Sequence, residues 1–131
     1  MKLRIKDSTL RFRLSQTEVR QLREGNEVKA TVFLGNTLEQ SLHYSIQVDT
    51  TADQIFTMFE NSTIAVIVPN NLIADWADSE QVGISRVLAL DEQKSLSVLI
   101  EKDFQCLIDR PGEDETDLYD NPARQQSVDG Q

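Results

Sequence analysis

Five basic side chains alternate with apolar ones near the start of the chain, in a pattern that could bind an anion. They are Lys2, Arg4, Lys6, Arg11 and Arg13. Successive residues of a β-strand point to opposite faces, so two strands joined at Asp7-Ser8 would gather all five cations on one face. Arginine and lysine side chains suit phosphate oxygens. The pattern therefore predicts a basic strand face that either binds an anionic ligand or is neutralised by the chain's own acids.

An acidic segment near the other end of the chain carries the opposite charge. Like charges on adjacent strands repel, so a compensating group is expected close to the basic face. We expect the acidic tail to dock there, in the same subunit or in a neighbouring one, which is compatible with a homo-oligomer. Its candidate partners are Asp109, Glu113, Asp114, Glu115, Asp117 and Asp120.

Other candidate sites are weaker. The acidic cluster lacks the glycine spacing of an EF-hand loop, so a solvated tail is favoured over a Ca²⁺ or Mg²⁺ site. Cys106 and His43 are the only cysteine and histidine of the chain. A Cys-His nucleophilic pair is conceivable, but a buried thiol and a surface histidine are favoured, and two groups alone cannot build a soft-metal site. We predict no metal and no cofactor.

The charge of the chain is unevenly distributed. The formal net charge is −9, made up of +4 over residues 1–30, −7 over 31–100 and −6 over 101–131. This acidity disfavours nucleic-acid binding. No apolar run approaches the roughly 20 residues that cross a bilayer, so no membrane span is predicted. A single cysteine cannot form an internal disulfide. These observations favour a cytoplasmic protein with no membrane partner.

One helix is strongly marked in the sequence. Ser15 and Glu18 have the spacing of a capping box, and Gly25 suits the position just after a helix. We expect this helix over residues 16–24. A second, short helix is expected to be capped by Asn70 or Asn71 and to run to about 78.

Strand patterns fill most of the remaining chain. Alternating segments predict four hairpins, and Leu38 is placed on one of their strands. The expected fold is α+β with about eight antiparallel strands, which could curl toward a barrel. Trp76 and the phenylalanines are expected to pack in the core, and no internal repeat is evident. Residues 1–108 are predicted to form a single domain, and 109–131 an extended or disordered tail.

A barrel lined by alternating lysine, arginine and glutamate is similar to the triphosphate-tunnel enzymes. That family opens with alternating glutamates that support metal binding, whereas this chain opens with Lys2, Arg4 and Lys6. Metal-dependent phosphate hydrolysis is therefore the alternative. The leading interpretation is a non-enzymatic binding or interaction module, because no catalytic motif stands out while a charged strand face does.

Two stretches of sequence resemble a family of short bacterial proteins that is described only as a domain of unknown function. The first is MKLRIKDSTLRFRLSQTEV at residues 1–19, and the second is EKDFQCLIDRPGEDETD at residues 101–117, followed by Asn121-Pro122. The resemblance covers essentially the whole chain. It implies a bacterial cytoplasmic protein and assigns it no activity.

Overall fold

The computed structural model describes residues 1–107 and 112–123, and within these residues it contains eight β-strands and two α-helices. None of these helices has the length and apolar character needed to span a membrane. In chain order the elements are β1 (Lys2–Lys6), β2 (Thr9–Leu14), α1 (Gln16–Arg23), β3 (Val28–Phe33), β4 (Ser41–Asp49), β5 (Phe56–Glu60), β6 (Thr63–Pro69), α2 (Asn70–Ala77), β7 (Gly83–Ala89) and β8 (Ser95–Lys102).

The first helix follows directly from its terminal residues. The Ser15 hydroxyl accepts a hydrogen bond from the Glu18 backbone N–H, and the Glu18 carboxylate accepts one from the Ser15 N–H. Gly25 adopts a φ of 87°, in the left-handed region that suits the residue after a helix. The predicted helix over 16–24 is confirmed to within one residue.

Tight turns join the strands of two of the hairpins. Asp7 has a φ of 48° between β1 and β2, and Asn61 and Ser62 have φ values of 53° and 55° between β5 and β6. At Asn61-Ser62, two successive residues with positive φ give the turn whose twist matches that of the flanking strands. The strands of these two hairpins begin and end within one residue of the predicted bounds.

The strands of the described residues form two sheets, and both are mixed. Sheet A has the order β1-β2-β8-β7, and sheet B has the order β3-β4-β6-β5. The hairpins are antiparallel, as predicted, whereas β2 pairs with β8 and β4 pairs with β6 in parallel. The expectation of a mainly antiparallel sheet is therefore wrong for the inner pairs, and the described strands form no closed barrel. Pairing between distant hairpins depends on contacts that local alternation does not encode.

The element order strand-strand-helix-strand-strand occurs twice in the described residues, over 2–49 and again over 56–102. Each sheet takes one hairpin from each half, because β2 pairs with β8 and β4 pairs with β6. Exchanging the two halves converts the strand order of one sheet into that of the other. The structure thus contains a repeated topology that the sequence does not reveal.

The two helices close one end of the molecule. Helix α1 follows β2 and contacts β3 and β4, while α2 follows β6 and contacts β4 and β7. The helices also contact each other. Because each helix connects one hairpin to the next, the hairpin turns lie at the opposite ends of the strands. Trp76 of α2 is fully buried and donates a hydrogen bond of 3.0 Å from Nε1 to the Val82 carbonyl. Other fully buried core side chains include Phe12, Leu14, Leu22, Ile46, Val66, Ile73, Val98 and Ile100.

Three local expectations are wrong. Leu38 lies in a short 3-10 turn over Leu38–Gln40 rather than on a strand. Pro69 precedes α2, and Asn70 is already helical, so no asparagine side chain caps this helix. Phe33 and Phe59 are 74% and 68% exposed, because their strands lie at the edges of sheet B and end near the hairpin turns. Aromatic residues at strand spacing are therefore not all in the core.

Candidate functional site

The outer face of sheet A carries the basic residues that the alternating pattern singled out. In the β1–β2 register, Lys2 lies opposite Arg13 and Arg4 lies opposite Arg11, with Lys6 opposite Thr9. The intervening residue Phe12 points the other way and is fully buried. The five cations therefore share one face of this hairpin, and that face is the one turned away from the core.

A groove of about 480 Å³ lies on this face, and we call it the basic groove. Arg4 and Arg11 lie directly opposite each other on adjacent strands, and both side chains line the groove. Leu99 of the inner strand β8 lies beside Arg11 in the register. The described residues that line the basic groove are Arg4, Lys6, Thr9, Arg11, Leu99 and Glu101.

Two carboxylates that the sequence did not single out pair with two of the cations. Glu101 accepts two hydrogen bonds of 3.0 Å from Arg11, one from Nε and one from Nη2. Asp103 accepts a contact of 2.9 Å from the Lys2 ammonium. Glu101 lies on β8, and Asp103 comes two residues later, directly after the end of that strand. Only the parallel pairing of β2 with β8 brings these two carboxylates beside the cations.

Three of the five cations lack such a partner among residues 1–107 and 112–123. Within the described residues, no ion pair or side-chain hydrogen bond engages Arg4, Lys6 or Arg13. Arg4 and Lys6 are exposed, and Arg13 is half-buried. Two of these three groups, Arg4 and Lys6, line the basic groove.

A second cavity of about 240 Å³ continues from the basic groove and shares Arg11 and Glu101 with it. Its lining also includes Arg13, Cys106 and Asn121. The end of the basic face therefore adjoins the segment that follows β8 and the described part of the acidic tail.

A nearly buried lysine lies at this end of sheet A. Lys102 donates a hydrogen bond of 2.7 Å from Nζ to the Ser79 carbonyl, and its ammonium lies 5.4 Å from the centre of the Tyr119 ring. Burial lowers the pKa of Lys102 and raises the pKa of Tyr119. Through these contacts Lys102 connects β8 to the segment after α2 and to the tail.

Three acidic residues of the described tail accept hydrogen bonds from backbone N–H groups. Asp117 accepts hydrogen bonds of 3.3 and 3.4 Å from the Thr17 N–H at the start of α1. Glu115 accepts one of 2.6 Å from the Cys106 N–H, and Asp114 accepts one of 3.0 Å from the Thr116 N–H. The hydrogen bond from the Thr17 side chain is the largest cause that lowers the pKa of Asp117, and desolvation partly opposes it.

These contacts place the described tail at α1 and beside residues 103–106, where Tyr119 pairs with Phe104. Asp109 lies outside the described residues, as do the other residues of 108–111 and 124–131. Docking of the acidic side chains on the basic face stays a prediction.

The structure does not pair the single cysteine with the single histidine. His43 lies on sheet B, where its Nδ1 is 2.7 Å from the Thr31 hydroxyl. Cys106 follows β8 of sheet A, and its thiol groups with the carboxylates of Glu113 and Glu115, all within 4.8 Å of one another. This cluster contains one thiol and two carboxylates, the residue types that could hold a metal. Glu115 already accepts the Cys106 N–H there.

The triphosphate-tunnel alternative requires cations that converge inside a closed barrel, with several carboxylates among them. Here the cations lie on the outer face of an open sheet. Glu101 is the only carboxylate among the described residues that line the basic groove, and it is paired with Arg11. The geometry therefore supports an open binding surface more readily than a tunnel.

Comparisons with known proteins agree with the resemblance of the terminal stretches. A family model described as a family of unknown function, DUF7009, matches residues 1–123. This match contains both stretches that carry the resemblance. No curated protein and no solved structure matches the chain.

Proposed function

The chain belongs to the DUF7009 family, which has no assigned function, and we propose that it is a binding module that takes an anionic group in the basic groove. One observation carries this proposal. Arg4 lies directly opposite Arg11 on the wall of the groove, while neither Arg4 nor Lys6 has an ion-pair partner within the described residues. Such a pair of guanidinium groups can donate several charge-assisted hydrogen bonds to one phosphate or carboxylate.

Electrostatics support the same location. The described lining of the groove contains three cations and one carboxylate, in a chain whose net charge is −9. A local positive patch on an acidic protein attracts small anions, whereas the surrounding negative charge repels long polyanions such as nucleic acid. Glu101 holds the Arg11 guanidinium in a fixed orientation through two hydrogen bonds, which reduces the ordering needed when a ligand binds.

The proposal extends to the acidic tail and to the setting of the protein. We propose that the tail competes with the anion for the basic face, because Asn121 of the tail and Arg13 of that face line the same cavity. We also propose a bacterial, cytoplasmic setting, which is supported by the likeness of the terminal stretches to short bacterial proteins.

Titration with inorganic phosphate tests the binding site. We expect phosphate at low ionic strength to shift backbone amide NMR signals of β1, β2 and β8 selectively. Arg4→Gln should weaken phosphate binding about tenfold, because it removes one set of charge-assisted hydrogen bonds. Lys6→Gln should weaken it less, since lysine offers a single ammonium group. Lys29→Gln is the control, because this exposed lysine lies on sheet B and should leave phosphate binding unchanged.

Two results would contradict the proposal. The first is an absence of saturable shifts with the unmodified protein at low ionic strength. The second is equal weakening by Arg4→Gln and by the control, which would indicate that phosphate senses only the total charge of the protein.

A further inference from the structure

We infer that the ligand of the basic groove carries an apolar body next to its anionic group; this inference rests on the proposed function. The outer face of sheet A is divided into two halves. The strands β1 and β2 contribute cations to the groove, whereas β8 and β7 continue the same face with mainly uncharged side chains.

The strand register establishes this division. Across the sheet, Arg4 pairs with Arg11, Arg11 pairs with Leu99, and Leu99 pairs with Ser85. In the next row toward the hairpin turns, Thr9 pairs with Ser97 and Ser97 pairs with Val87. In both rows the side chains from β8 and β7 are uncharged, and the cations come from β1 and β2. Val87 is 70% exposed, so part of that surface is an apolar side chain in contact with solvent.

The dimensions of the sheet limit the length of the ligand. Neighbouring strands lie about 4.8 Å apart, so the distance from β1 to β7 is roughly 14 Å. An anion held between Arg4 and Arg11 leaves the sheet surface from β2 to β7, about 10 Å across, over Leu99 and toward Val87. One or two fused rings, or a short alkyl chain, would cover this surface.

The charge of the groove limits the anionic group. Three cations are opposed by Glu101 within the described lining, and Glu101 already pairs with Arg11. The net balance suits one or two negative charges, and the Glu101 carboxylate would repel a longer chain of phosphates. The chemical class is therefore an aryl or alkyl monophosphate or carboxylate, with a single anionic end.

Three matched probes test this inference by NMR titration: 1-naphthyl phosphate, inorganic phosphate and 1-naphthol. We expect naphthyl phosphate to bind the unmodified protein at least tenfold more tightly than either of the other two. Arg4→Gln should weaken naphthyl phosphate and inorganic phosphate by similar factors, since both use the anion site. Leu99→Ser should weaken naphthyl phosphate about fivefold and leave inorganic phosphate unchanged, because it removes apolar contact area only.

Val87→Ser removes a second apolar side chain from the same face. Val87 is exposed, whereas Leu99 is half-buried, so this variant tests the apolar contact without changing a half-buried position. Lys29→Gln is again the control. If the two phosphates bind equally and neither apolar variant discriminates between them, the inference of an apolar body is wrong while anion binding stands. If neither phosphate binds saturably, or if Arg4→Gln has no effect on either, the proposed function itself fails. Binding of naphthol as tight as that of naphthyl phosphate also contradicts the inference, because the anionic end would then contribute nothing to the binding of a ligand with an apolar body.

Discussion

At the scale of single residues, Glu18 connects the start of the chain to the first helix through its two carboxylate oxygens. One oxygen accepts a hydrogen bond of 3.0 Å from the Ser15 N–H, which completes the capping box. The other lies 2.6 Å from the ammonium group of Met1, whose side chain is fully buried. The Met1 carbonyl in turn accepts a hydrogen bond from the Tyr44 hydroxyl of sheet B. Glu18, which the sequence identifies only as part of a capping box, therefore also holds Met1, and Met1 in turn contacts sheet B.

This double contact predicts different effects for two substitutions. Glu18→Gln can still accept from Ser15 but loses the charge that faces the Met1 ammonium, so it should lower the free energy of unfolding by about 1 kcal/mol. Glu18→Ala loses both contacts and should lower it by about 2 kcal/mol. Urea denaturation measures both values, with Glu27→Gln as an exposed control on the same part of the chain. A Glu18→Gln variant as stable as the unmodified protein would show that the Met1 contact contributes nothing, and equal stabilities of the two Glu18 variants would show the same for the Ser15 contact.

At the scale of elements, the described tail pairs with the segment that follows β8 of sheet A. The Gln105 N–H donates to the Tyr119 carbonyl, and the Tyr119 N–H donates to the Asp103 carbonyl. Phe104 and Tyr119 meet edge to face with ring centres 5.7 Å apart. Asp117 then brings a negative charge to the N-terminus of α1, where the helix dipole favours it. The tail thus stabilises the same helix that the capping box begins.

The Asp117 contact predicts a pH dependence of stability. Hydrogen bonds lower the pKa of Asp117 below its ordinary value of 3.8, so its stabilising contribution is present above that pH and is lost as the pH falls through the lowered pKa. Asp117→Asn should therefore unfold at a lower temperature than the unmodified protein at pH 7. The difference should shrink as the pH falls below 3.8.

Thermal unfolding between pH 2 and 7 measures this difference. Asp53→Asn, in the exposed loop between β4 and β5, is the matched control. A difference that stays constant over the whole range would show that the charge of Asp117 is not responsible.

At the scale of the whole molecule, stability depends on pairing between the two halves. Each half supplies one hairpin to sheet A and one to sheet B, so β2 and β4 of the first half have their inner partners in the second. A separated half would leave those inner strand edges unpaired and the apolar faces of its hairpins exposed. The two repeated units are therefore joined through both sheets as well as by the contact between α1 and α2.

This arrangement predicts fragment complementation. Residues 1–52 and 53–131, prepared separately, should each lack cooperative unfolding, and mixing them should restore the circular dichroism and the unfolding transition of the intact chain. The cut falls in an exposed loop, so it removes no strand or helix. A fragment that unfolds cooperatively alone would contradict the prediction, as would a failure of the mixed fragments to associate.

The sequence by itself determines the features that depend on neighbouring residues. Alternation predicts the hairpins and places Arg4 and Arg11 on the face opposite to Phe12, because side-chain direction reverses at each strand residue. Ser15 and Glu18 begin α1 through contacts only three residues apart. The two terminal stretches also predict membership of a family of unknown function. This prediction is confirmed, since both stretches lie within the matched region.

Only the tertiary structure decides which hairpins become neighbours. The parallel pairing of β2 with β8 joins residues 88 positions apart, and it brings Glu101 and Leu99 beside Arg11. Periodicity does not encode that choice, because any of the hairpins presents an apolar face and an unpaired edge. The basic hairpin is thus a property of the local sequence. The groove with its uncharged half, and the position of the tail on α1, arise from free energies of packing between distant segments.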